Sequence, residues 1–274
     1  MGGRGRRLGT DQKLFGNAAM TTDDRRTRTL AQLQPYVERA RAFSGWAFSD
    51  IAIQHPGAPI AWDYEAIARE RARRARSVLD LGTGGGEVLA RIIAGSDARV
   101  VATEEWYVNA PVAAGRLRSL GAGVLHADSL RLPLCAASFD LVIDRHEALD
   151  PAEAARVLAP GGTIITQQCG PDDWPELRRF FPRKTRFDDH FTAYQRGFAA
   201  AGLTVDEARW HEAPVAFGAL GDLVYMLLVG PWCIPDFDPA ADIDALLALE
   251  DARRTPDGIV LTEHRYLIVA HKPG

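Results

Sequence analysis

VLDLGTGGGE, residues 78–87, joins four residues that read as a buried strand (Val78, Leu79, Asp80, Leu81) to glycines at 82, 84, 85 and 86. A helical pattern, Val88 to Ala94, follows at once. Glycines let a backbone approach a ligand closely, and a helix N-terminus offers free N–H groups, so strand, turn and helix in this order make a nucleotide-type site. A dinucleotide fingerprint needs G-x-G-x-x-G, and its third glycine would fall on Glu87. The order is instead D-x-G-x-G-x-G, with Asp80 two residues before the first glycine. A carboxylate there repels a pyrophosphate and suits a ligand carrying an ammonium group.

The alternation continues downstream. ARVVATEEW (98–106) reads as a second strand ending in an acid, and GVLHADSLRLPL (123–134) as a third strand with its loop. SFDLVIDRHEALD (138–150) supplies a fourth strand, and EAARVLAPGGTIITQQ (153–168) a helix, a proline-glycine turn and a fifth strand. In order and spacing, residues 66–181 resemble the class I S-adenosylmethionine-dependent methyltransferases, and strand order extends the likeness to Gly274. The resemblance implies an α/β fold: a doubly wound, seven-stranded, mostly parallel sheet whose last strand is antiparallel, with a helical N-terminal lid. It also implies S-adenosylmethionine rather than NAD at the glycine turn. Asp80, Gly82, Thr83, Gly84 and Gly86 would then hold the cofactor. Glu104, 24 residues after Asp80, would take the ribose hydroxyls. Asp128, with Ser129, would lie beside the adenine; the same pair also fits a simple turn cap.

Composition bounds the rest. The chain has 274 residues, 47% hydrophobic and 25% charged, enough apolar material for a sizeable core. A net charge of −4 provides no whole-protein basic field for nucleic acid. Cys135, Cys169 and Cys233 are odd in number and widely spaced, which suits reduced thiols in a cytoplasmic protein. No apolar run reaches the ~18 residues that span a bilayer, so no membrane partner is expected. Oligomeric state is not readable.

Residues 1–20, glycine- and arginine-rich, read as a disordered leader, with Met20 a plausible start. Residues 21–65 read as a lid: a helical pattern from Thr21 to Phe43, with Pro35 at a helix start or kink, then an aromatic segment. Asp63 can cap a helix reaching about Arg76. The remainder, 66–274, reads as the core. It includes a helix over PDDWPELRRFF (171–181), a helix around Phe191–Ala201 ended by Gly202, and a strand at Leu203–Phe217. An insertion near 218–258, with a helix at Ala240–Ala252, precedes a last strand at His264–Pro273.

A methyl sulfonium is already electrophilic, so the protein has to align donor and nucleophile, exclude water and remove a proton where one is lost. Arg145, His146 and Glu147 follow the fourth strand in the loop that would face the methyl group. His146, with a side-chain proton affinity near neutrality, is the candidate base, and Arg145 could fix a substrate carboxylate or phosphate. Trp46, Trp62, Tyr64 and Gln168 are candidate substrate-binding residues. Asp144 is in range of a magnesium site, but the fifth strand ends in Gln167, Gln168 and Cys169, so no metal is expected. The leading expectation is methyl transfer to an oxygen or nitrogen of a small-molecule acceptor. An RNA methyltransferase, suggested by RARRAR (71–76), and a non-catalytic cofactor-binding module are the alternatives.

Overall fold

A computed structural model describes residues 21–48 and 51–274. The leader expected at 1–20 lies outside the described residues. Helix α1 (Thr22–Arg41) opens on a capping box between Thr21 and Asp24 and carries Pro35 within its length. A two-residue strand, β1 (Ile53–Gln54), follows. Asp63 then caps α2 (Tyr64–Ala72), its carboxylate accepting from the Ala66 N–H at 2.9 Å. The helix stops four residues before Arg76. There the Arg76 and Ser77 N–H groups turn to the Asp140 carboxylate, at 2.9 and 3.1 Å, and the chain enters β2 (Ser77–Leu81).

The doubly wound core follows as β2, α3 (Glu87–Ile92), β3 (Arg99–Glu104), α4 (Asn109–Leu117), β4 (Gly123–His126), β5 (Phe139–Arg145), α5 (Pro151–Val157) and β6 (Leu158–Cys169). Asp150 caps α5, whose first residue is the proline. The helix expected at 171–181 is a single 3-10 turn, Pro175–Arg179. Pro182 disfavours a helical Phe181, which limits its extension. Helix α6 (His190–Ala200) ends at left-handed Gly202, and β7 (Thr204–Phe217) leads to α7 (Leu220–Val229) and α8 (Ile243–Arg253). A two-residue β8 (Arg254–Thr255) turns into β9 (Gly258–His271), which starts six residues earlier than its sequence pattern suggested.

These strands form one sheet in the order β1-β7-β9-β6-β5-β2-β3-β4, with β8 on β9. β4, β3, β2, β5 and β6 run parallel, and β9 enters antiparallel between β6 and β7. The expected seven strands are therefore present in the expected sense, and β1 and β8 are small additions. Every residue of β2 is buried, as a central strand covered on both faces must be. One face, with Val78, Val100 and Leu141, packs on Ala68 and Ala72 of α2, Leu89 of α3 and Leu117 of α4. The other, with Leu79, Val142 and Ile164, packs on Ala154 of α5 and Phe198 of α6.

A third apolar cluster joins the N-terminal helix to the segment near 218–258. Leu33 of α1 packs with Leu223, Val224 and Leu227 of α7, Leu246 and Leu249 of α8, Phe217 of β7 and Ile259 of β9. The approach of α1 to α7 is close: a Cβ on Gly221 would lie 2.2 Å from the Tyr36 ring. Arg25–Asp251 and Arg26–Asp244 ion pairs add contacts between α1 and α8. N-terminal helix and insertion thus form one cap. No helix among the described residues is long and apolar enough to cross a membrane.

Candidate cofactor and acceptor site

The carboxyl ends of β2, β3, β5 and β6 open into a cavity of about 2200 Å³, on the side where doubly wound sheets take their ligands. Ordinary small-molecule pockets hold roughly 300–1,000 Å³, so this one has room for two ligands side by side. Asp80, Gly82, Thr83, Gly84, Glu104, Arg145, His146, Glu147, Gln168, Trp46, Trp62 and Tyr64 all line it.

The glycine turn is shaped by close contact. Gly82 and Gly84 have φ of +60° and +61°. A Cβ on Gly82 would strike the Glu147 side chain, and one on Gly84 would lie 2.9 Å from the Trp46 Cβ. Only glycine satisfies both the left-handed backbone and the space. The Thr83 N–H is tied to the Thr103 carbonyl at 2.9 Å, and Gly86 is the N-cap of α3, behind the cavity wall.

Acids dominate this end. Asp80 is buried, and desolvation, with Glu104 and Glu147 nearby, pushes its carboxyl up to about 7. Burial also raises Glu104, whose carboxylate accepts from the Gly84 N–H at 2.6 Å and the Trp106 N–H at 2.9 Å. Glu147 is raised by desolvation and by Glu104, Glu105 and Asp128. A carboxylate crowded by like charges in a dry cleft is the environment that a ligand ammonium relieves. Asp128 and Ser129 are placed differently from expectation. Asp128 is exposed and caps its own turn, accepting from the Leu130 N–H at 2.7 Å; Ser129 is buried against the Thr103 hydroxyl at 3.2 Å. Neither lines the cavity.

The β5 loop carries the expected trio. His146 has a φ of +64°, a left-handed backbone that costs an L residue about 1–3 kcal/mol and tends to mark functional sites. Its N–H donates to the Gln167 carbonyl at 2.9 Å, which fixes the turn. The residue is exposed and lines the cavity. Desolvation, with Arg265 and Arg145, holds it well below its ordinary range and therefore neutral at pH 7. Cys169, exposed along the cavity, places its Sγ 3.6 Å from His146 Nδ1. Arg145 leans toward α2, 3.9 Å from Glu65 and over the Tyr64 ring.

The aromatic residues divide between wall and cover. Trp62 is buried and donates its indole N–H to Gln167 Oε1 at 2.7 Å. Burial and the carboxylates of Asp80 and Asp144 keep the Tyr64 phenol protonated. Gln168 gives its amide nitrogen to Asp144 at 2.7 Å and to the Glu147 carbonyl at 2.8 Å, leaving only the amide oxygen for a ligand. Trp46 packs in tilted ring contacts with Phe43, Phe48 and Trp232, its Cβ against Gly84. The cover is fastened where the Gly45 N–H reaches Asn109 Oδ1 at 2.6 Å. Asn109, Lys184, Trp232 and Arg265 also line the cavity and escaped the sequence reading. Arg265 reaches the site because β9 pairs with β6, which sets it opposite Cys169. No group of three or more histidines, cysteines or acids suited to a metal ion occurs among the described residues.

Sheet order and the strand, glycine turn and helix that open it are those of the class I, Rossmann-like methyltransferase fold. Residues 79–166 match the family described as a methyltransferase domain, so the chain is an enzyme built around that domain. Among solved structures it is similar to the YcgJ protein of Bacillus subtilis, with 18% identity over 77% of this chain and 98% of that one and a TM-score of 0.58. A candidate methyltransferase from Bacillus halodurans C-125 gives 17% identity, 77% and 99% coverage and a TM-score of 0.57. The [4+2]-cyclase SpnF gives 16% identity, 90% and 94% coverage and a TM-score of 0.53. No curated protein matches the chain by sequence. At these identities the likeness establishes the fold, and a cyclase among the neighbours shows that the fold does not fix the reaction.

Proposed function

We propose that the protein binds S-adenosylmethionine at the glycine turn and transfers its methyl group to an oxygen or nitrogen of a small molecule held in the rest of the cavity. The observation that carries this reading is one continuous cavity of about 2200 Å³ with a buried, glycine-lined acidic end and an aromatic remainder. Bound there, the cofactor would supply an electrophilic methyl group. Asp80 would answer its ammonium group, and Glu104, already aligned by two backbone N–H groups, would meet the ribose hydroxyls. Trp46 and Phe43 would exclude water from above. His146, neutral and open to the cavity, would accept the proton lost by a hydroxyl or amine acceptor.

The basic run at 71–76 gives little support to an RNA acceptor. Arg74 pairs with Glu70 at 3.0 Å and Arg76 with Asp140 at 3.5 Å, so acids offset part of that face. Calorimetric titration with S-adenosylmethionine and S-adenosylhomocysteine tests the reading. Micromolar binding of both, with S-adenosylhomocysteine released when a small-molecule acceptor panel is added, is expected. A folded chain that gives no heat with either compound overturns it.

A further inference from the structure

Lys184 is only 4% exposed, yet its side chain lines the cavity. Its loop is stitched to the segment after α7: the Thr185 N–H donates to the Cys233 carbonyl at 2.9 Å and the Thr185 hydroxyl to the Trp232 carbonyl at 2.6 Å. The ammonium makes no hydrogen bond and no ion pair with any described residue. Asp173, the acid whose field reaches it, is taken. Asp173 Oδ1 accepts from Arg265 at 2.7 Å and from the His264 N–H at 2.8 Å. Desolvation, with Arg178 nearby, pushes the amine of Lys184 down from its usual range, more than Asp173 and Cys233 hold it up.

A cation held by a buried side chain at a cavity wall, with no protein anion bound to it, is stabilised when an anionic ligand pairs with it. We infer that this ligand is the substrate: the acceptor carries a carboxylate or phosphate that pairs with Lys184. This rests on the cavity being the acceptor site of a methyltransferase. The walls specify the remainder of the molecule. Phe187, 39% exposed, and Trp232, 56% exposed, both line the cavity within a few residues of Lys184 and its Cys233 tether. Large apolar side chains beside a buried cation describe a site for an amphipathic acid, with an apolar body and one oxyanion.

Benzoate and phenyl phosphate, with neutral benzamide as the isostere, are the probes. Each is titrated by calorimetry into the S-adenosylhomocysteine-loaded protein, the wild type against Lys184→Met and Lys184→Gln. Wild type is expected to bind one of the two anions at least tenfold more tightly than benzamide, and the better anion identifies the oxyanion. Both variants should lose that preference, about tenfold or more in affinity, while their affinity for S-adenosylhomocysteine stays unchanged. They should fold with melting temperatures close to or above wild type, since the ammonium they remove forms no hydrogen bond or ion pair with a described residue. Equal binding of all three probes by wild type, or the preference retained in either variant, overturns the inference. Loss of S-adenosylhomocysteine binding by wild type would instead strike the cofactor reading and is scored separately.

Discussion

Replacing Asp80 by asparagine should make the ligand-free protein less sensitive to alkaline pH while it loses its cofactor. The Asp80 carboxyl ionises near an ordinary 3.8 in the unfolded chain and near 7 when folded, chiefly because it is buried. Below about pH 4 it is protonated in both states and contributes nothing to the pH dependence. As pH rises, the unfolded chain ionises first, so stability falls until the folded group also ionises near pH 7. At ~1.4 kcal/mol per pH unit the full penalty is about 4 kcal/mol, of which about 2–3 kcal/mol accrues between pH 5 and pH 8. For a protein of this size that corresponds to about 5–10 °C in melting temperature. Asp80→Asn has no such penalty, so its melting temperature relative to wild type should climb by that amount between pH 5 and pH 8. A ligand ammonium selects the carboxylate, so binding of S-adenosylhomocysteine to wild type at pH 6 should release close to one proton, read by calorimetry in buffers of different ionisation enthalpy. The variant should lose both the proton release and at least a hundredfold in affinity. Parallel melting curves for the two proteins across this range would refute the argument, because Asp80 would then be neither strained by burial nor waiting for a cation.

His146→Ala should leave S-adenosylhomocysteine affinity intact and lower turnover by roughly 10²–10⁴-fold, the usual contribution of a positioned base. In wild type, activity governed by this imidazole should be flat above pH 6.5 and fall only in more acidic solution, because desolvation lowers its proton affinity. Undiminished turnover in the variant would remove His146 from the chemistry. Gly221→Ala would press a methyl group against the Tyr36 ring, so α1 has to move away from α7. A loss of about 1–3 kcal/mol in stability is expected, with faster proteolysis around residues 21–48. Unchanged stability and proteolysis would mean the cap tolerates what its packing forbids.

The parts of the molecule legible in the sequence are those whose signals are local. A central strand, its glycine turn and the following helix occupy consecutive residues, so residues 77–92 announced both the fold and the ligand end of the sheet. The acids at 80 and 104 were legible because each ends a strand whose neighbours share a parallel register. Asp128 was ambiguous for a physical reason: an aspartate before a turn serves equally as a cap or a ligand, and here its oxygen is bound by the Leu130 N–H. The acceptor side was illegible. Arg265 reaches it only through the pairing of β9 with β6 across almost a hundred residues, and Lys184 sits in an irregular loop whose burial no periodicity encodes. The union of α1 with the insertion depends on a glycine that reads in sequence as an ordinary member of an apolar run.

β7 and β9 are each 14 residues long, whereas β9 pairs with β6 only from Arg265 onward. Ile259–His264 and their partners on β7 therefore project past β6, flanked only by the short β1 and β8, and α1, α7 and α8 are mounted on this extension. Continuous antiparallel ladders resist bending far more than loops do, so the roof cannot swing on a hinge as a separate domain would. On the opposite flank Phe43, Trp46 and Phe48 cover the chamber through ring contacts and the single Gly45 N–H to Asn109 Oδ1 hydrogen bond, so a small rearrangement is enough to widen access there.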